Sequence, residues 1–486
     1  MKSIYILIAT LFITNNIIGQ HTFEKIISSD QDKTIYDIIE DDNNNYVIVG
    51  RVKNIDTEVY DGFIVKLDNT GNITNELQLS NGTKSSLFFN IHCIEDKYYI
   101  IGTQMISYPD TSKIWFVVIN SDFSINEERL LNLPTGYWYS YMNSVIDSDS
   151  NIVIGGNTTR IDENIGYHFD PAFYKINLNG DSITSNFMFL TRKKRSSYDI
   201  IESRDNNTYR AFVSRFDNIH GGEELILNKE FDSIGIRNIP KGIYDNYSPI
   251  YLSDTNLLLC GNGSNTDSAL YELAVITVND QMQIIDYNHF KKDENMRDHT
   301  SFLNGSSKNG NSIYIGGTSN FDYYNPFYSH NSSWFHLVKL TTELDPIWEK
   351  WYGGDVYHSL YNILATSDGG CVMIGNRYDA DYQYVRDIYV VKVDENGVIS
   401  WTQNVDMLKN IFTVYPNPGY NHIIINNGGM ILYFELFDIY GNLLIQKEID
   451  SEINSVSTQQ LSSGYFFYRL LDKERKIVKT GKWIKK

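Results

Sequence analysis

Cysteine, proline and net positive charge are all scarce in this sequence of 486 residues. The three cysteines, Cys93, Cys260 and Cys371, are odd in number and widely spaced, which excludes a disulfide framework. We expect all three to be small buried apolar side chains. Acidic residues outnumber basic residues by 60 to 41. This balance argues against a nucleic-acid partner, because contact with a phosphate backbone needs clustered lysine and arginine.

Linear motifs for common catalytic and cofactor chemistry are also missing. The sequence contains no HExxH, no GxSxG and no Walker loop, and its histidines and cysteines form no close cluster. We therefore predict no cofactor and no transition-metal site. A site made of carboxylates from distant parts of the chain stays open, since no linear motif would mark it.

Calcium is the one metal for which the sequence offers candidates. Asp147, Asp149 and Asn151 place oxygen side chains at alternate positions, which hard cations favour, and residues 41–45 do something similar. Neither stretch has the glycine and distant glutamate of an EF-hand loop. Asx turns explain both stretches without a metal, so we predict no metal site and keep calcium as the alternative.

The residues that are abundant favour β structure. Aromatic residues make up 14 % of the chain, with 36 tyrosines against 9 prolines. A short apolar run that ends in glycine recurs, as in YVIVG, YYIIG and CVMIG. These runs end at Gly50, Gly102, Gly155, Gly261, Gly316 and Gly375, and a degenerate copy ends at Ser214. The copies repeat about every 54 residues, which is in the range of propeller blades.

Each glycine-ended run lies between other predicted strands. An alternating run precedes it, as in YDIIED from Tyr36, and an apolar run follows it, as in GFIVKLD from Gly62. Turns such as DNTGN close the third run, because Asn-Gly and its relatives supply the positive φ of a tight hairpin. A weaker fourth run completes each copy. Four strands repeated seven times predict an all-β, seven-bladed β-propeller over residues 20–408.

Two segments compete for the place of the strand that closes the ring. TFEKIIS, from Thr22, and ISWTQNV, from Ile399, both have the look of a fourth strand, although only one is needed. Closure would remove the exposed sheet edges that otherwise invite aggregation. The repeat resembles the poorly characterised propeller-like repeats of bacterial exported proteins, in which a strand ending in Gly precedes one ending in Lys-Leu-Asp.

The N-terminus is typical of a secretory signal peptide. A single Lys2 precedes an apolar run from Ile4 to Ile13, and small and polar residues follow. We predict a signal peptide over residues 1–19, with cleavage between Gly19 and Gln20. The segment is too short to anchor as a transmembrane helix, so we expect no transmembrane segment after its removal.

The repeat stops near Asp406, and residues 411–486 predict a small C-terminal β-sandwich domain. Its ordered motifs are VYPNP, the Tyr440-Gly441-Asn442 hairpin, the run from Leu461 to Tyr465 and the basic end from Lys479 to Lys486. This set resembles the type A C-terminal sorting domain of the type IX secretion system. The positions that carry the resemblance as a sorting signal are Pro416, Asn417, Pro418, Gly441, Gly464, Lys482, Lys485 and Lys486.

The resemblance implies a route out of the cell. The signal peptide would take the chain into the periplasm, and the tail would then dock with the type IX machinery at the outer membrane. The tail would be removed, and the protein would end extracellular or on the outer cell surface. An accessory domain that only packs on the propeller is the alternative.

Aromatic residues concentrate in loops that a propeller would place on one face. The candidate ligand-binding residues are Tyr137, Trp138, Tyr139, Tyr323, Tyr324, Trp334 and Tyr382. Aromatic rings beside carboxylates and amides suit sugars, because the apolar sugar face stacks while hydroxyl groups find acceptors. The alternative is that these rings only hold long loops in place.

These observations favour an exported, non-enzymatic propeller that binds a glycan or a surface protein. The alternative is an extracellular polysaccharide hydrolase or lyase, with its site at the mouth of the propeller channel. Paired carboxylates in a deep cleft would favour the enzyme, and a shallow aromatic surface would favour binding. A purely structural surface component would have neither.

Overall fold

The computed structural model describes residues 20–486 apart from short gaps, and the predicted signal peptide lies outside the described residues. The gaps are residues 29, 55, 81, 83, 108–110, 132–137, 163–165, 189–194, 216–221, 245–246, 265–270, 381–384, 400–412, 427–431, 452, 472–474 and 476. The chain divides into two compact units, Met1–Ile399 and Ser400–Lys486. Within the described ranges all regular structure is β, and no helix there is long and apolar enough to cross a membrane.

The described part of the first unit folds into seven sheets, numbered here by the chain order of their first strands. Sheet 1 contains β2 (Lys33–Glu40), β3 (Tyr46–Lys53), β4 (Tyr60–Leu67) and β5 (Ile73–Leu79). Sheet 2 contains β6 (Ser86–Ile94), β7 (Lys97–Ser107), β8 (Thr111–Asn120) and β9 (Ile125–Leu130). Sheet 3 contains β10 (Trp138–Ile146), β11 (Ile152–Asp162), β12 (Gly166–Ile176) and β13 (Ser182–Phe187). Sheet 4 contains β14 (Arg195–Glu202), β15 (Tyr209–Arg215), β16 (Gly222–Leu227) and β17 (Ser233–Asn238).

The later sheets follow the same antiparallel order. Sheet 5 contains β18 (Ile250–Tyr251), β19 (Asn256–Ser264), β20 (Tyr271–Asn279) and β21 (Ile284–Phe290). Sheet 6 contains β22 (Asp298–Thr300), β23 (Ser306–Asn309), β24 (Ser312–Ser319), β25 (Trp334–Leu340) and β26 (Pro346–Gly353). Sheet 7 contains β27 (Tyr357–Ala365), β28 (Cys371–Tyr378), β29 (Arg386–Val393) and the N-terminal β1 (Phe23–Ile27).

The N-terminal strand closes the ring. β1 pairs antiparallel with β29, from Phe23 opposite Lys392 to Ile27 opposite Ile388. The segment from Thr22, which the sequence left as one of two candidates, therefore supplies the fourth strand of sheet 7. Most of the competing segment falls in residues 400–412, outside the described residues.

Apolar layers join each sheet to the next. Val47 and Val49 of sheet 1 share a cluster with Ile100 and Trp115 of sheet 2, and equivalent clusters follow along the chain. The last cluster joins Val372 and other residues of sheet 7 to sheet 1. Seven sheets packed face to face in a closed ring form a β-propeller, which confirms the predicted fold class.

The repeated glycine has a steric cause. The pairing register of the first strand of sheet 1 is broken by a bulge between Ile35 and Asp37, and the first strand lies close to the second at this point. A Cβ atom at Gly50 would lie 2.1 Å from the carbonyl oxygen of Thr34. Gly102 and Gly375 meet a carbonyl oxygen of their own first strands at the same 2.1 Å. In these three sheets the glycine that marks the repeat therefore makes room for the first strand.

The hairpin turn after each third strand also repeats, with a variation that the sequence did not reveal. Glycine takes the positive φ at Gly71, Gly180 and Gly397, as predicted from the Asn-Gly turns. In other sheets a large apolar residue takes it, with φ of 66° at Phe231 and 61° at Leu344. Both side chains are fully buried. Their burial between sheets offsets the backbone strain of about 1–2 kcal/mol per residue.

The tail forms two sheets of its own. One contains β30 (Thr413–Tyr415), β31 (His422–Asn426) and β34 (Ile453–Ser457). The other has the order β33 (Leu443–Ile449), β32 (Leu432–Phe437), β35 (Gly464–Leu471) and β36 (Ile477–Lys485). Ile423 and Val456 of the first sheet share a core with Phe434, Phe466 and Trp483 of the second. This is the predicted small β-sandwich.

Candidate functional site

The first strands of the propeller surround a central cavity of about 500 Å³. One polar position recurs among its lining residues, and we call these residues the polar belt: Asp37, Asn90, Asn143, Asp199, Asn304 and Asn362. A break in strand register comes directly before Asp37, Asn90, Asn143, Asp199 and Asn362. Because of the bulge these side chains point toward the channel. In a regular strand, successive side chains would alternate between the two faces of the sheet.

The two carboxylates of the belt are held by neighbouring sheets. Asp37 Oδ1 accepts a hydrogen bond from Asn362 Nδ2 at 2.8 Å, and its Oδ2 accepts one from the backbone of Ile91 at 3.0 Å. Asp199 Oδ1 accepts one from Asn143 Nδ2 at 2.6 Å, and its Oδ2 accepts one from the backbone of Ser248 at 3.0 Å. Each carboxylate thus bonds to the sheets on both sides of its own.

Burial has the largest effect on the pKa of both carboxyl groups. It raises the pKa of Asp37 and that of Asp199 to about 6, although the hydrogen bonds they accept act in the opposite direction. Two carboxyl groups with raised pKa values in one cavity are what an acid–base site would need. They are the strongest candidates for catalysis among the described residues.

A repeated pairing gives these carboxylates a structural role. The stretch YDIIE occurs at residues 36–40 and again at residues 198–202. Besides the Asn–Asp bond, Glu40 accepts hydrogen bonds from the backbone and hydroxyl of Ser367, and Glu202 accepts the same two from Ser148. The contacts that join sheet 7 to sheet 1 are therefore repeated between sheets 3 and 4. Asp37 and Asp199 belong to this inter-sheet pairing.

Aromatic rings cover the end of the channel where the first strands begin. Tyr36 lies 5.2 Å from Phe89 and 6.0 Å from Tyr361 between ring centroids, and Tyr361 lies 4.9 Å from Phe302. Tyr36, Phe89 and Tyr361 are buried. The rings form a continuous arc across sheets 6, 7, 1 and 2. Tyr36 and Phe302, which line the cavity, are thus packed against the rings of neighbouring sheets.

The loop of residues 320–333, between β24 and β25, lies over this arc. Its Phe327 ring lies 5.4 Å from Phe302, and its Tyr328 ring lies 5.2 Å from Tyr378 of sheet 7. The Tyr328 hydroxyl donates to Asp32 Oδ2 at 3.3 Å, which ties the loop to sheet 1. The loop is thus anchored on several sheets at once.

Local hydrogen bonds fix the shape of this loop. Asp322 Oδ1 accepts from the backbone nitrogens of Tyr324 and Asn325 at 3.0 and 3.1 Å, and its Oδ2 accepts from the Ser329 hydroxyl at 2.7 Å. Phe321 is buried against the ring of His299 at 4.4 Å. The loop therefore presents its exposed side chains from a fixed backbone.

The predicted ligand-binding residues occupy different environments. Tyr324 is 87 % exposed, whereas Tyr323 is half-buried with its ring 4.7 Å from that of Tyr271. Trp334 is half-buried at the start of β25, with the Lys292 ammonium 4.2 Å from its ring centroid. Tyr137 and Tyr382 lie outside the described residues. Trp138 and Tyr139 lie in β10, but their side chains are outside the described part.

Sequence reasoning missed two exposed rings in the same loop. Phe327 and Tyr328 are 36 % and 41 % exposed while one edge of each packs on the propeller. Their position in an aromatic stretch was visible, but the sequence could not show which rings of that stretch point outward. Tyr324, Phe327 and Tyr328 form the candidate binding surface, and we call them the loop aromatics.

The calcium candidates are engaged in an Asx turn. Asp147 Oδ1 accepts from the backbone nitrogens of Asp149 and Asn151 at 3.0 and 2.8 Å, and its Oδ2 accepts from the Tyr209 hydroxyl at 2.7 Å. Among the described residues, no group of three or more His, Cys, Asp or Glu is arranged to hold a metal ion.

Cys260 and Cys371 are buried as expected, whereas Cys93 is partly exposed.

In the tail, the Pro-Asn-Pro segment holds the last strand in place. The carbonyl oxygen of Pro416 accepts from Trp483 Nε1 at 2.8 Å. Asn417 Nδ2 donates to the carbonyl oxygen of Lys482 at 2.6 Å, and its Oδ1 accepts from the backbone of Ile484 at 3.1 Å. The segment thus covers part of the open edge of β36, and Pro418 ends it.

The remaining sorting-signal positions divide between structure and surface. Gly441 has a φ of 82° in its turn, and Gly464 begins β35. Lys485 is buried, with its ammonium donating to the carbonyl oxygen of Thr458. Lys482 and Lys486 are exposed. Of the predicted cationic end, Lys485 therefore serves the fold, and Lys482 and Lys486 are available to a partner.

Similarity to known structures is distant. The β-propeller domain of the Trilobed protease from Pyrococcus furiosus is 10% identical with a TM-score of 0.43, and the match covers 75% of this chain and 94% of that one. Puromycin hydrolase is 8% identical with a TM-score of 0.46, covering 91% of this chain and 59% of that chain. PorZ, a surface component of the type-IX secretion system of Porphyromonas gingivalis, is 11% identical with a TM-score of 0.22, covering 97% and 88%. These likenesses are too weak to support a conclusion about activity.

Comparison with curated proteins gives no match. The tail, by contrast, matches a family model. Residues 413–486 match the Secretion system C-terminal sorting domain, and this confirms the resemblance that the Pro-Asn-Pro, Tyr-Gly-Asn and C-terminal lysine motifs predicted. The tail is therefore a sorting domain of the type IX secretion system, and the protein is exported to the cell surface or the extracellular space.

Proposed function

We propose that the propeller is a non-enzymatic binding module, and that it binds carbohydrate through the loop aromatics Tyr324, Phe327 and Tyr328. The observation that carries this proposal is the exposure of Tyr324, which is 87 % exposed on a loop whose backbone is fixed by Asp322. A ring that only holds a loop in place would be buried against it. Tyr324 is not.

The fixed loop favours binding because its backbone loses little conformational entropy when a ligand binds. Sugars are held by aromatic rings that stack on their apolar faces and by polar groups that meet their hydroxyls. A ring that is already positioned loses less conformational entropy on binding than a mobile one. Phe327 and Tyr328 add two half-exposed rings beside Tyr324, with Asn325 and His330 exposed between and beyond them.

The alternative is a hydrolase or lyase that uses the polar belt. The raised pKa values of Asp37 and Asp199 favour it, since a general acid needs a pKa near working pH. Three observations weigh against it: both carboxylates are fully engaged with neighbouring sheets, the same pairing occurs twice, and the other belt positions are amides. A protein ligand on the loop aromatics is the other possibility within the binding proposal.

The test is retention of the full-length protein on a panel of insoluble polysaccharides, with product analysis of each polymer. We expect retention without shortened products, and we expect Tyr324→Ala and Phe327→Ala each to reduce it at least tenfold. Tyr287→Ala is the matched control, because Tyr287 is a 39 % exposed tyrosine on β21, the outer strand of a different sheet. It should leave retention unchanged.

The other outcomes separate the alternatives. Shortened products that disappear in Asp37→Asn would overturn the proposal in favour of the enzyme. Retention that survives both loop substitutions would move the binding site away from the loop aromatics. The absence of retention on any polymer would reject carbohydrate as the ligand.

A further inference from the structure

The tail exposes more large apolar side chains than its size would suggest. Eight such residues lie in the described part of the tail, against fourteen in the much longer described propeller. The eight are Tyr415, Tyr420, Ile439, Tyr440, Leu443, Leu444, Tyr465 and Phe467. Contiguous exposed apolar surface in a soluble domain commonly marks a site of interaction.

Two of these residues, Leu443 and Phe467, belong to a continuous row across the second sheet. Phe437 of β32 pairs with Leu443 of β33 on one side and with Phe467 of β35 on the other, and Phe467 pairs with Lys482 of β36. The row therefore crosses all four strands. Its side chains face away from the tail core, since Phe467 is 49 % exposed while its neighbours Phe466 and Tyr468 are buried.

A groove runs beside this row. It has a volume of about 670 Å³ and is lined by Phe437, Ile439, Phe467, Gly481 and Lys482, among others. A Cβ atom at Gly481 would lie 2.4 Å from the Tyr468 ring, so this position admits only glycine without a shift of the ring. The groove and the row together are called the open face below.

The open face carries a positive charge that no described carboxylate neutralises. The Lys482 ammonium lies 5.5 Å from the Tyr465 ring centroid and forms no ion pair among the described residues. Arg469, by contrast, pairs with Glu435 while its guanidinium lies 4.9 Å from the Phe437 ring. Asp438 lines the groove, but both of its oxygens accept hydrogen bonds from the turn that contains it. Lys482 is thus the charge available to a partner.

We propose that the open face is the surface on which a protein of the type IX secretion machinery receives the tail. The partner would offer an apolar surface with a carboxylate opposite Lys482. The sorting-domain match indicates the class of partner. The aromatic row with its lysine indicates the surface chemistry that the partner must complement. The Pro-Asn-Pro segment and Lys485 serve the fold of the tail, so the recognition surface lies on the sheet face.

The test uses the full chain in a host that has a type IX system, and it measures the fraction of the protein outside the outer membrane. Phe467→Thr with Tyr465→Thr removes the two exposed aromatic rings of β35, one in the row and one beside Lys482, while keeping residues that favour strands. We expect the exported fraction to fall at least tenfold, with accumulation in the periplasm. Lys482→Glu should reduce it severalfold, whereas Lys482→Arg should be exported normally.

The matched control is Ile236→Thr with Ile285→Thr, which removes two apolar residues of similar exposure from the propeller. It should be exported as the wild type is. Proteolysis of periplasmic protein checks that each variant is folded, and Lys482→Glu keeps the test valid if the double variant unfolds. Folded variants that are exported normally would overturn the proposal.

Two further measurements identify other occupants of the open face. A wild-type chain that self-associates, with loss of association but normal export in the double variant, would assign the face to a second copy. Binding to anionic vesicles that the double variant loses, again with normal export, would assign it to a membrane. Either result would reject the machinery as the partner.

Discussion

The propeller and the tail use the same hairpin turn in opposite surroundings. Asp68 Oδ1 accepts from the backbone of Thr70 and Asn72, and Asp438 Oδ1 accepts in the same way from Tyr440 and Asn442. The glycine in the first turn, Gly71, has a φ of 85°, and Gly441 in the second has 82°. A Cβ atom at Gly71 would lie 2.6 Å from the Phe23 ring, whereas one at Gly441 would meet nothing within 4 Å.

The difference shows that the local sequence determines the shape of the turn, whereas a neighbouring segment determines whether the turn is buried. The Asp-x-x-Gly-Asn pattern is enough to form the turn, because all of its hydrogen bonds are internal. Whether the turn is covered depends on another segment, and the ring of sheets provides one at every position by closing on itself. The tail has no such neighbour among its described residues, and its turn residue Tyr440 is 84 % exposed. The covered turn therefore adds packing to the propeller, whereas the exposed turn adds none to the tail.

The largest expected difference between the two regions concerns ion pairs. Arg386 of β29 donates from Nε to Asp32 Oδ1 at 2.8 Å, and both side chains are buried. Asp32→Ala would leave the guanidinium buried without its partner, so we expect a loss of about 3–5 kcal/mol in the free energy of unfolding. In the tail, Glu435 is buried but its partner Arg469 is 41 % exposed, so Glu435→Ala leaves a guanidinium that water can solvate, and we expect a smaller loss of about 1–2 kcal/mol.

Pulse proteolysis of the full chain in urea measures both losses, with fragments assigned to each unit by mass spectrometry. Asp32→Ala should shift only the propeller transition, and Glu435→Ala only that of the tail. Equal losses in the two variants would mean that the exposure of the arginine left behind does not affect the cost of removing its carboxylate.

The two turn glycines offer the next test. In both Gly71→Ala and Gly441→Ala the new residue must adopt a positive φ, at about 1–2 kcal/mol. Gly71→Ala adds a clash with the Phe23 ring, and overpacking of this kind costs about 1–3 kcal/mol more. We therefore expect a loss of about 2–5 kcal/mol at Gly71 and about 1–2 kcal/mol at Gly441 in the same urea experiment.

Phe23 lies in the strand that closes the ring, so the Gly71 variant has a second readout. Hydrogen exchange of the β1 amides should speed up in Gly71→Ala and stay unchanged in Gly441→Ala. A Gly71 variant with protected β1 amides and a small loss of stability would show that the ring accommodates the methyl group.

Much of the propeller could be predicted from the sequence because its determinants are local and repeated. The glycine-ended runs mark second strands, and the turns mark hairpins, as at Gly50 and Gly71. The closing strand could not be chosen, because the segments from Thr22 and Ile399 have the same alternation. The choice depends on pairing with β29, far away in the sequence.

The candidate site was less predictable, because burial depends on residues that the chain brings together from several sheets. Tyr323 and Tyr324 are adjacent, yet one packs on Tyr271 and the other is exposed. Phe327 and Tyr328 carry no signal beyond their aromatic character. The belt pairing of Asp37 with Asn362 joins residues 325 positions apart, although the recurrence of YDIIE was visible and could have indicated a repeated contact.

The last expected effect is a change in the pH dependence of stability caused by the polar belt. The pKa of Asp37 is about 6 in the folded protein, above the ordinary value of 3.8, because burial disfavours its charged form. Its contribution to stability is therefore fully present below about pH 4 and is lost as pH rises through about 6, by on the order of 3 kcal/mol at most. Burial lowers the pKa of His92 and His358 to about 4, which gives the opposite slope over the same range. The dependence of stability on pH thus contains both effects. Only the difference in the free energy of unfolding between the wild type and a variant isolates the contribution of the carboxyl group.

Asp37→Asn removes this titration while keeping the shape of the side chain. Relative to the wild type, the variant should gain up to about 3 kcal/mol in the free energy of unfolding of the propeller between pH 4 and pH 7, whatever the offset at pH 4. Asp199→Asn should show the same slope, because its surroundings repeat those of Asp37. Asp42→Asn, at an exposed position, is the control for the loss of one aspartate charge. Parallel curves for Asp37→Asn and the wild type would mean that the belt carboxylates titrate as exposed groups do, and the channel would then be open to solvent at the belt.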